Sequence, residues 1–195
     1  MRIYRIANRD SQIRSEDRVL VRYEAPNPKI FQVLEEHGSH LIGNMVFRPL
    51  MEHEASTSSK DGKRDSSITP ANYDVQLAGE DDLDGRHCYL LHATPRRRDK
   101  YLFEGTIWID AQDLAVAKIE GQPAKNPSFW VKKVRFTRRY QKIGDFWLPV
   151  EDKSTSDVKI FGQHTLTIRY EDYKLNDQDK PATAASRLSD GASLH

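Results

Sequence analysis

The stretch Lys100–Pro149 reads KYLFEGTIWIDAQDLAVAKIEGQPAKNPSFWVKKVRFTRRYQKIGDFWLP and contains all three tryptophans of the chain. Residues 103–110 alternate with a period of two, which is the pattern of a half-buried strand. After a turn at 111–113, residues 114–120 carry the chain back. A connector rich in Gly, Pro and Asn then leads to a long third strand at 130–142. The stretch therefore predicts a meander of antiparallel strands on which the rest of the chain packs.

The same strand pattern continues on both sides of this meander. Further strands are predicted at 3–6, 18–25, 29–34, 73–78, 86–94, 146–149, 150–156 and 164–173, with turns at 35–38 and 80–85 and a bend near Asp157. Asp84-Gly85 is a strong hairpin signal because glycine tolerates positive φ. Eight to ten strands joined by short turns, without strand–helix–strand alternation, predict an antiparallel sheet that curls.

Residues 41–55 hold the one predicted helix. Val46, Phe47, Leu50, Met51 and Ala55 follow one another at steps of one, three and four, which places them on one apolar face. Asn44 is the expected N-cap. Because Pro49 favours the first turn of a helix, we expect a short helical turn near 44–47 and the main helix from about Arg48. This helix can cover one face of the sheet.

Composition bounds the domain count and the possible partners. The chain has 195 residues, a net charge of +1 and 37% hydrophobic residues. One domain over 1–175 is predicted, and the polar residues 176–195 are predicted to be a disordered tail. The near-zero net charge gives no global attraction for nucleic acid, so no nucleic-acid partner is expected. The apolar runs are all too short for a membrane span.

The sequence carries no recognisable catalytic or metal-binding motif. His53 lacks the second histidine of a zinc-protease helix, and the odd spacing of His87 and His92 places them on opposite faces of one strand. Cys88 lies mid-strand and is interpreted as a small core residue. The acidic run at 80–84 is interpreted as a solvated hairpin turn. We therefore predict that the protein is not an enzyme and has no cofactor and no metal.

Two other groups of residues are candidates for binding. The basic residues of 96–98 and 132–139 could contact phosphate groups, but a solvated turn and strand edge explain them as well. Large aromatic side chains are more informative, since a thin sheet-plus-helix core cannot easily hide all of them. The predicted contacts for a hydrophobic ligand are Trp108, Phe129, Trp130, Phe146 and Trp147.

Three segments resemble a known family. They are ITPANYDVQLAGEDDLDGRHCYLLHATPRRRDKYLFEGTIWIDAQDLAVAKIEGQPAKNPSFW at 68–130, YQKIGDFWLP at 140–149 and LTIRYEDYKLN at 166–176. They are similar to the LolA-like outer-membrane lipoprotein-sorting proteins, and closest to an uncharacterised bacterial branch. The resemblance covers 18–176, and its motifs build sheet and carry no catalytic residue.

The resemblance implies an α+β, mainly antiparallel β fold: a curved, incomplete β-barrel with one main helix packed on it. It also implies a periplasmic, monomeric, non-enzymatic carrier or sensor that holds lipid or lipoprotein acyl chains in the concave face. A signal peptide is part of that expectation, and the opening MRIYRIANRD does not contain one. Either N-terminal elements lie upstream of Met1, or the protein is cytoplasmic.

A second hypothesis stays open on the residues alone. An exposed sheet edge or the basic strand could dock a membrane-associated protein partner, which would make the chain an interaction module.

Overall fold

We describe residues 1–23, 29–57, 67–126, 131–158 and 162–175 of a computed structural model of the chain. Ten strands are present in these residues. They are β1 (Arg2–Asn8), β2 (Ile13–Arg22), β3 (Ile30–Gly38), β4 (Tyr73–Leu83), β5 (Arg86–Pro95), β6 (Phe103–Asp110), β7 (Val116–Pro123), β8 (Val131–Ile143), β9 (Phe146–Val158) and β10 (Gly162–Tyr170).

All ten strands form one antiparallel sheet in the order β3-β2-β1-β10-β9-β8-β7-β6-β5-β4. Strands that follow one another in sequence pair with each other throughout β1–β3 and β4–β10, as expected for a meander. The two ends of the meander meet where β1 pairs with β10, with Tyr4 opposite Ile168. The sheet does not close, because β3 and β4 lie at opposite ends of the order. This confirms the predicted antiparallel fold with an open, incomplete barrel.

One helical segment lies between β3 and β4. It consists of α1 (His40–Ile42), a π-helical turn at Gly43–Phe47 and the main helix α2 (Arg48–Thr57). The start of the main helix at Arg48 is confirmed. Asn44 is not the N-cap, because the helical backbone already begins at His40 after Ser39, which places Asn44 inside the π-helical turn. Within the described part of the chain, no helix is both long and apolar enough to span a lipid bilayer.

The helical segment packs against the strands at one end of the sheet. Phe47 and Met51 are buried against Tyr4, Val19 and Ile168, and the rings of Tyr4 and Phe47 lie 5.7 Å apart. We call the sheet face that carries this contact the inner face. The helix-side cluster consists of Tyr4, Ile6, Val19, Phe47, Met51 and Ile168.

A second cluster lies on the same face at the other end of the sheet. It is covered by Tyr73, the first residue of β4, and by Leu102, the residue just before β6, which are both almost fully buried. The loop-side cluster consists of Tyr73, Ala93, Leu102, Ile107 and Ile119. Burial of Ile107 and Ile119 confirms the alternation that predicted these strands.

Two glycines that face each other on neighbouring strands bring β6 and β7 unusually close. Gly105 pairs with Gly121. A Cβ atom on Gly105 would lie 2.0 Å from the carbonyl oxygen of Glu120, and one on Gly121 would lie 2.4 Å from that of Glu104. Since any side chain would overlap the facing backbone, only glycine permits this approach.

Several predicted strand ends differ from the structure. The turn predicted at 35–38 is the end of β3, and the acidic residues 80–83 belong to β4. Both are edge strands, where charged side chains remain in water on either face. The hairpin at Asp84-Gly85 is confirmed by positive φ values of 54° and 78°.

The last part of the sheet also runs on further than expected. Residues 146–158 form one strand through Pro149 and Asp157, because Pro149 lies where the β8–β9 register shifts and need not donate a ladder hydrogen bond. The predicted tail at 176–195 lies outside the described residues, and the single domain over 1–175 stays a prediction.

Candidate functional site

The inner face contains a groove between the two clusters, with a volume of about 740 Å³. Leu50 of α2 lines it on one side, and Leu102 and Phe103 line it on the other. Its floor is formed by strands β7 to β10, whose inner side chains alternate into it. Two separate clusters on one curved sheet therefore leave a cleft between them.

Most of the side chains that line this groove are apolar. They are Leu50, Ile68, Tyr101, Leu102, Phe103, Ile119, Pro123, Val134, Phe136, Tyr140, Leu166 and Ile168. Phe136 lies at the centre of the floor and meets Phe103 edge to face, with ring centroids 5.6 Å apart. Ser154 of β9 pairs with Phe136 on one neighbouring strand and with Leu166 on the other. The small Ser154 side chain leaves room above the floor.

An ion pair also lies in the floor of the groove. Arg138 donates from Nε and Nη2 to the two carboxylate oxygens of Asp152, at 2.6 and 2.8 Å. The Tyr170 hydroxyl donates to the same carboxylate at 2.7 Å. The side chain of Asp152 is only 15% exposed, whereas that of Arg138 is 48% exposed. Asp152 therefore holds the guanidinium group on one side, and the other side of the group faces the groove.

Arg138 and Tyr170 keep their ordinary charge states at neutral pH. Burial lowers the pKa of Arg138, but the charge of Asp152 and its hydrogen bonds outweigh burial and raise the pKa overall. Burial, followed by the charge of Asp152, raises the pKa of Tyr170. Arg138 is thus a permanent cation, and Tyr170 is a neutral hydrogen-bond donor.

A second buried ion pair holds α2 to the sheet beside this groove. Arg2 donates to both oxygens of Glu54, at 2.6 and 2.9 Å, and Lys29 donates to Oε1 of Glu54 at 2.6 Å. The guanidinium of Arg2 also lies 4.7 Å from the centroid of the Tyr170 ring. The two ion pairs are therefore neighbours on either side of one tyrosine.

Trp108 does not line the groove. It lies between Ile107 and Ile109, which both contribute to the inner face, so alternation directs its side chain to the outer face. There its indole Nε1 donates to Asp81 at 3.0 Å, and the Lys118 ammonium lies 4.1 Å from the centroid of its ring.

The other predicted aromatic contacts are also absent from the groove or cannot be placed. Trp147 is half-buried and donates to Asp113 at 3.0 Å, with Arg86 against its ring. Phe146 is half-buried and pairs with Ile143. Phe129 and Trp130 lie outside the described residues. Ligand contact by these five aromatic residues stays a prediction.

Three basic side chains of β8 have acidic partners. Arg138 pairs with Asp152, Arg139 pairs with Asp84, and Lys133 lies 3.8 Å from Asp157. The positive charge of these three residues is therefore balanced locally by carboxylates of β9 and of the β4–β5 turn.

Cys88 and His87 lie close together on β5 but differ in their surroundings. Cys88 is fully buried, as predicted, and burial raises the pKa of its thiol. His87 is exposed and lies 3.4 Å from Glu80. Across the described ranges, no three His, Cys, Asp or Glu side chains converge as a metal site.

The groove residues were missed because each strand of the sequence has two plausible faces. Phe136 and Arg138 alternate in the run VKKVRFTRRY, and this pattern assigns them to one face. Nothing in the run says that this face carries the helix. Arg138 lies opposite the buried Asp152 of the neighbouring strand, and this pairing identifies the groove face. The pairing depends on strand register, which the sequence does not give.

A family model described as "Uncharacterized protein" matches residues 56–182. No curated protein matches the sequence.

Three solved structures are similar to the chain at low sequence identity. A DUF1329 family protein from Desulfovibrio piger is 16% identical over 90% of this chain and 85% of its own, with a TM-score of 0.38. A LolA superfamily protein from Nitrosomonas europaea is 13% identical over 91% and 86%, with a TM-score of 0.43. A domain described as a candidate outer membrane lipoprotein-sorting protein from Vibrio parahaemolyticus is 13% identical over 91% and 86%, with a TM-score of 0.39.

Proposed function

The chain belongs to the family of uncharacterized proteins whose model it matches, and we propose that it is a non-enzymatic carrier or sensor that binds acyl chains in the inner groove. The observation that carries this proposal is the apolar groove between the helix-side and loop-side clusters. Its volume of about 740 Å³ lies within the range of roughly 300–1,000 Å³ that is typical of small-molecule sites.

The lining of the groove supports an alkyl ligand. Apolar side chains line both walls, from Leu50 on the helix to Leu102 and Phe103 on the opposite side. Removing such a surface from water favours an apolar occupant by about 25 cal/mol per Å² of buried area. The family resemblance of the sequence supports lipid or lipoprotein acyl chains as that occupant and the periplasm as its location.

Filling the groove tests this proposal. The substitution Ser154→Phe places a ring between Phe136 and Leu166, where it should occupy the space of the ligand. We expect the affinity for a fluorescent fatty-acid probe to fall by roughly tenfold or more, since steric overlap with a ligand costs at least about 1.4 kcal/mol. Unchanged affinity in Ser154→Phe would contradict binding in the groove.

The matched control lies one residue along the same strand. Thr155→Phe adds the same ring on the outer face, where Thr155 contacts Thr165 at 3.1 Å. It should leave probe binding at the wild-type level. Circular dichroism of both variants shows whether each keeps the sheet.

The predicted aromatic contacts are tested in the same assay. Trp108→Glu removes an outer-face indole that is half-buried under Lys118 and Asp81. If Trp108 contacts the ligand, this variant should bind the probe more weakly than Thr155→Phe does. If the inner groove alone binds, Trp108→Glu should bind as the wild type does.

A second candidate function rests on the edge strand β3. Its side chains Ile30 and Leu34 are 65% and 47% exposed, and no described strand pairs with its outer edge. Glu35 and Glu36 lie on the same strand in ion pairs with Arg18 and Arg48. Because exposed pairs of this kind are weak, an extended basic and apolar segment of a partner protein can replace them and add to β3 as a further strand. This occupant would make the chain an interaction module.

Model peptides distinguish this candidate from lipid binding. A peptide that alternates leucine with lysine should bind by fluorescence polarisation, and its glutamate counterpart should not. Leu34→Lys should weaken that binding, whereas Leu77→Lys on the opposite edge should not. Equal binding of both peptides would contradict docking on β3.

A further inference from the structure

We infer that the ligand of the inner groove is an acyl chain that ends in an oxyanion, and that Arg138 binds this group. The inference rests on the proposed function and adds the charge class of the ligand. A fatty carboxylate and an alkyl phosphate share this chemistry, because both place negatively charged oxygens at the end of an apolar chain.

Arg138 has hydrogen-bond donors to spare. A guanidinium group carries five N–H donors, and Asp152 takes one from Nε and one from Nη2. Among the described residues, no other acceptor bonds to the remaining three. About half of the side chain is exposed, and it lines the groove. The open edge of the guanidinium can therefore accept a second oxyanion.

The guanidinium group is also held in place before a ligand arrives. Asp152 fixes it through two parallel hydrogen bonds, and the Tyr170 hydroxyl fixes Asp152 from the other side at 2.7 Å. Arginine forms such planar, paired contacts with carboxylates and phosphates. Because its orientation is already set, little side-chain freedom is lost when an anion binds.

The charges around the groove favour a negative group. Two cationic side chains, those of Lys100 and Arg138, line it against the single carboxylate of Asp152. An excess of positive charge in a cleft with apolar walls raises the local concentration of anions. An uncharged lipid would satisfy the walls of the groove and leave the N–H donors of Arg138 unused.

Displacement of the neutral dye Nile red from the full chain tests the inference. The competitors are palmitate, palmityl alcohol and palmityl phosphate, which share one alkyl chain. We expect palmitate to displace the dye at a roughly tenfold lower concentration than the alcohol, the size expected for one charged hydrogen-bonded contact. Palmityl phosphate should compete at least as well as palmitate if the natural head group is a phosphate, and less well if it is a carboxylate.

Two failures have different meanings in this assay. If the alcohol competes as well as palmitate and palmityl phosphate, the oxyanion inference is overturned while acyl-chain binding stands. If none of the three competitors displaces the dye, the proposed function itself fails. The wild-type comparison therefore tests the inference without any variant.

Paired substitutions assign the effect to Arg138. Arg138→Met with Asp152→Asn removes both charges together and leaves no buried charge without a partner. This double variant should lose the preference for palmitate, so that palmitate and the alcohol displace the dye at the same concentration. Retention of the preference would overturn the role of Arg138.

The control is the neighbouring ion pair on the outer face. Arg139→Met with Asp84→Asn makes the same chemical change to the pair formed by Arg139 and Asp84. It should keep the roughly tenfold preference, since these residues lie outside the groove. Arg138→Lys, which keeps a cation beside Asp152, gives a second variant and should retain part of the preference.

Discussion

The two ends of the inner face are stabilised in different ways. Beside the helix-side cluster, an ion pair between the buried Arg2 and Glu54 connects α2 to β1. The loop-side cluster depends on close packing. Gly105 and Gly121 allow the backbones of β6 and β7 to approach each other, and Leu102 packs over the cluster. One end should therefore respond to pH and the other to side-chain volume. The groove lies between the two clusters, and residues of both ends of the inner face form its walls.

The largest expected effect is at the glycine pair. Gly105→Ala places a Cβ atom 2.0 Å from the Glu120 carbonyl oxygen, and the strands must separate to accommodate it. We expect a loss of about 3 kcal/mol or more in the free energy of unfolding, measured by urea denaturation.

The same substitution elsewhere provides the control. At Gly43 in the π-helical turn, the nearest atom to a Cβ outside the helix backbone would be Oδ2 of Asp17, at 3.5 Å. Gly43→Ala should therefore change stability by less than about 1 kcal/mol. Equal losses in the two variants would show that backbone fit does not distinguish the loop-side cluster.

Leu102→Ala should have the next largest effect. The Leu102 side chain is 1% exposed, and its removal leaves a cavity that costs about 3 kcal/mol. Leu77→Ala, at a leucine that is 68% exposed on β4, should cost less than about 0.5 kcal/mol. Thermal unfolding measures the loss of stability in both variants. Equal losses would contradict a stabilising role for Leu102 in the loop-side cluster.

Glu54→Gln tests the charged end of the sheet. It leaves the Arg2 guanidinium, whose side chain is 10% exposed, without its carboxylate partner. We expect a loss of about 2 kcal/mol, below the value for a fully buried pair because Glu54 is partly exposed. Glu35→Gln, in the exposed Arg18–Glu35 pair, should cost less than about 0.5 kcal/mol. Similar losses would remove the distinction between the two pairs.

The smallest effect concerns pH. Burial raises the pKa of Glu54, but the hydrogen bonds and charges of Arg2 and Lys29 outweigh it and lower the pKa from 4.5 to about 2. The folded state therefore binds this proton less readily than the unfolded state does. The stabilisation is fully present above the unfolded pKa and is lost as pH falls through the folded pKa.

Unfolding in urea at several pH values measures this effect. The difference in unfolding free energy between the wild type and Glu54→Gln should shrink as the pH falls from about 5 to about 2. A difference that stays constant over this range would show that the charge of Glu54 does not hold the helix-side cluster.

Local patterns predicted the elements of the fold better than their ends. Alternation placed β6 at Phe103–Asp110, and Pro49 placed the start of α2 at Arg48. The ends of β3 and β4 were predicted too short, because charged residues in edge strands have the composition of turns. Pro149 was read as a break, although the register shift beside it lets the strand continue.

The candidate site could not be predicted from the sequence in the same way. The expectation that large aromatic side chains contact the ligand selects Trp108 and Trp147. Their indole groups donate to the carboxylates of Asp81 and Asp113, away from the groove. The groove is lined instead by Phe136 and by Arg138, whose partner Asp152 is 14 residues away in sequence. Contacts of this kind depend on strand register, which alternation alone does not specify.

The sequence by itself determined the strands, the hairpin at Asp84-Gly85 and the position of the main helix, since these depend on periodicity and on local backbone preferences. Only the tertiary structure decided which face of each strand meets the helix, because both faces of a half-buried strand have side chains to bury. That choice puts Phe136 and Arg138 in the groove and Trp108 on the outer face.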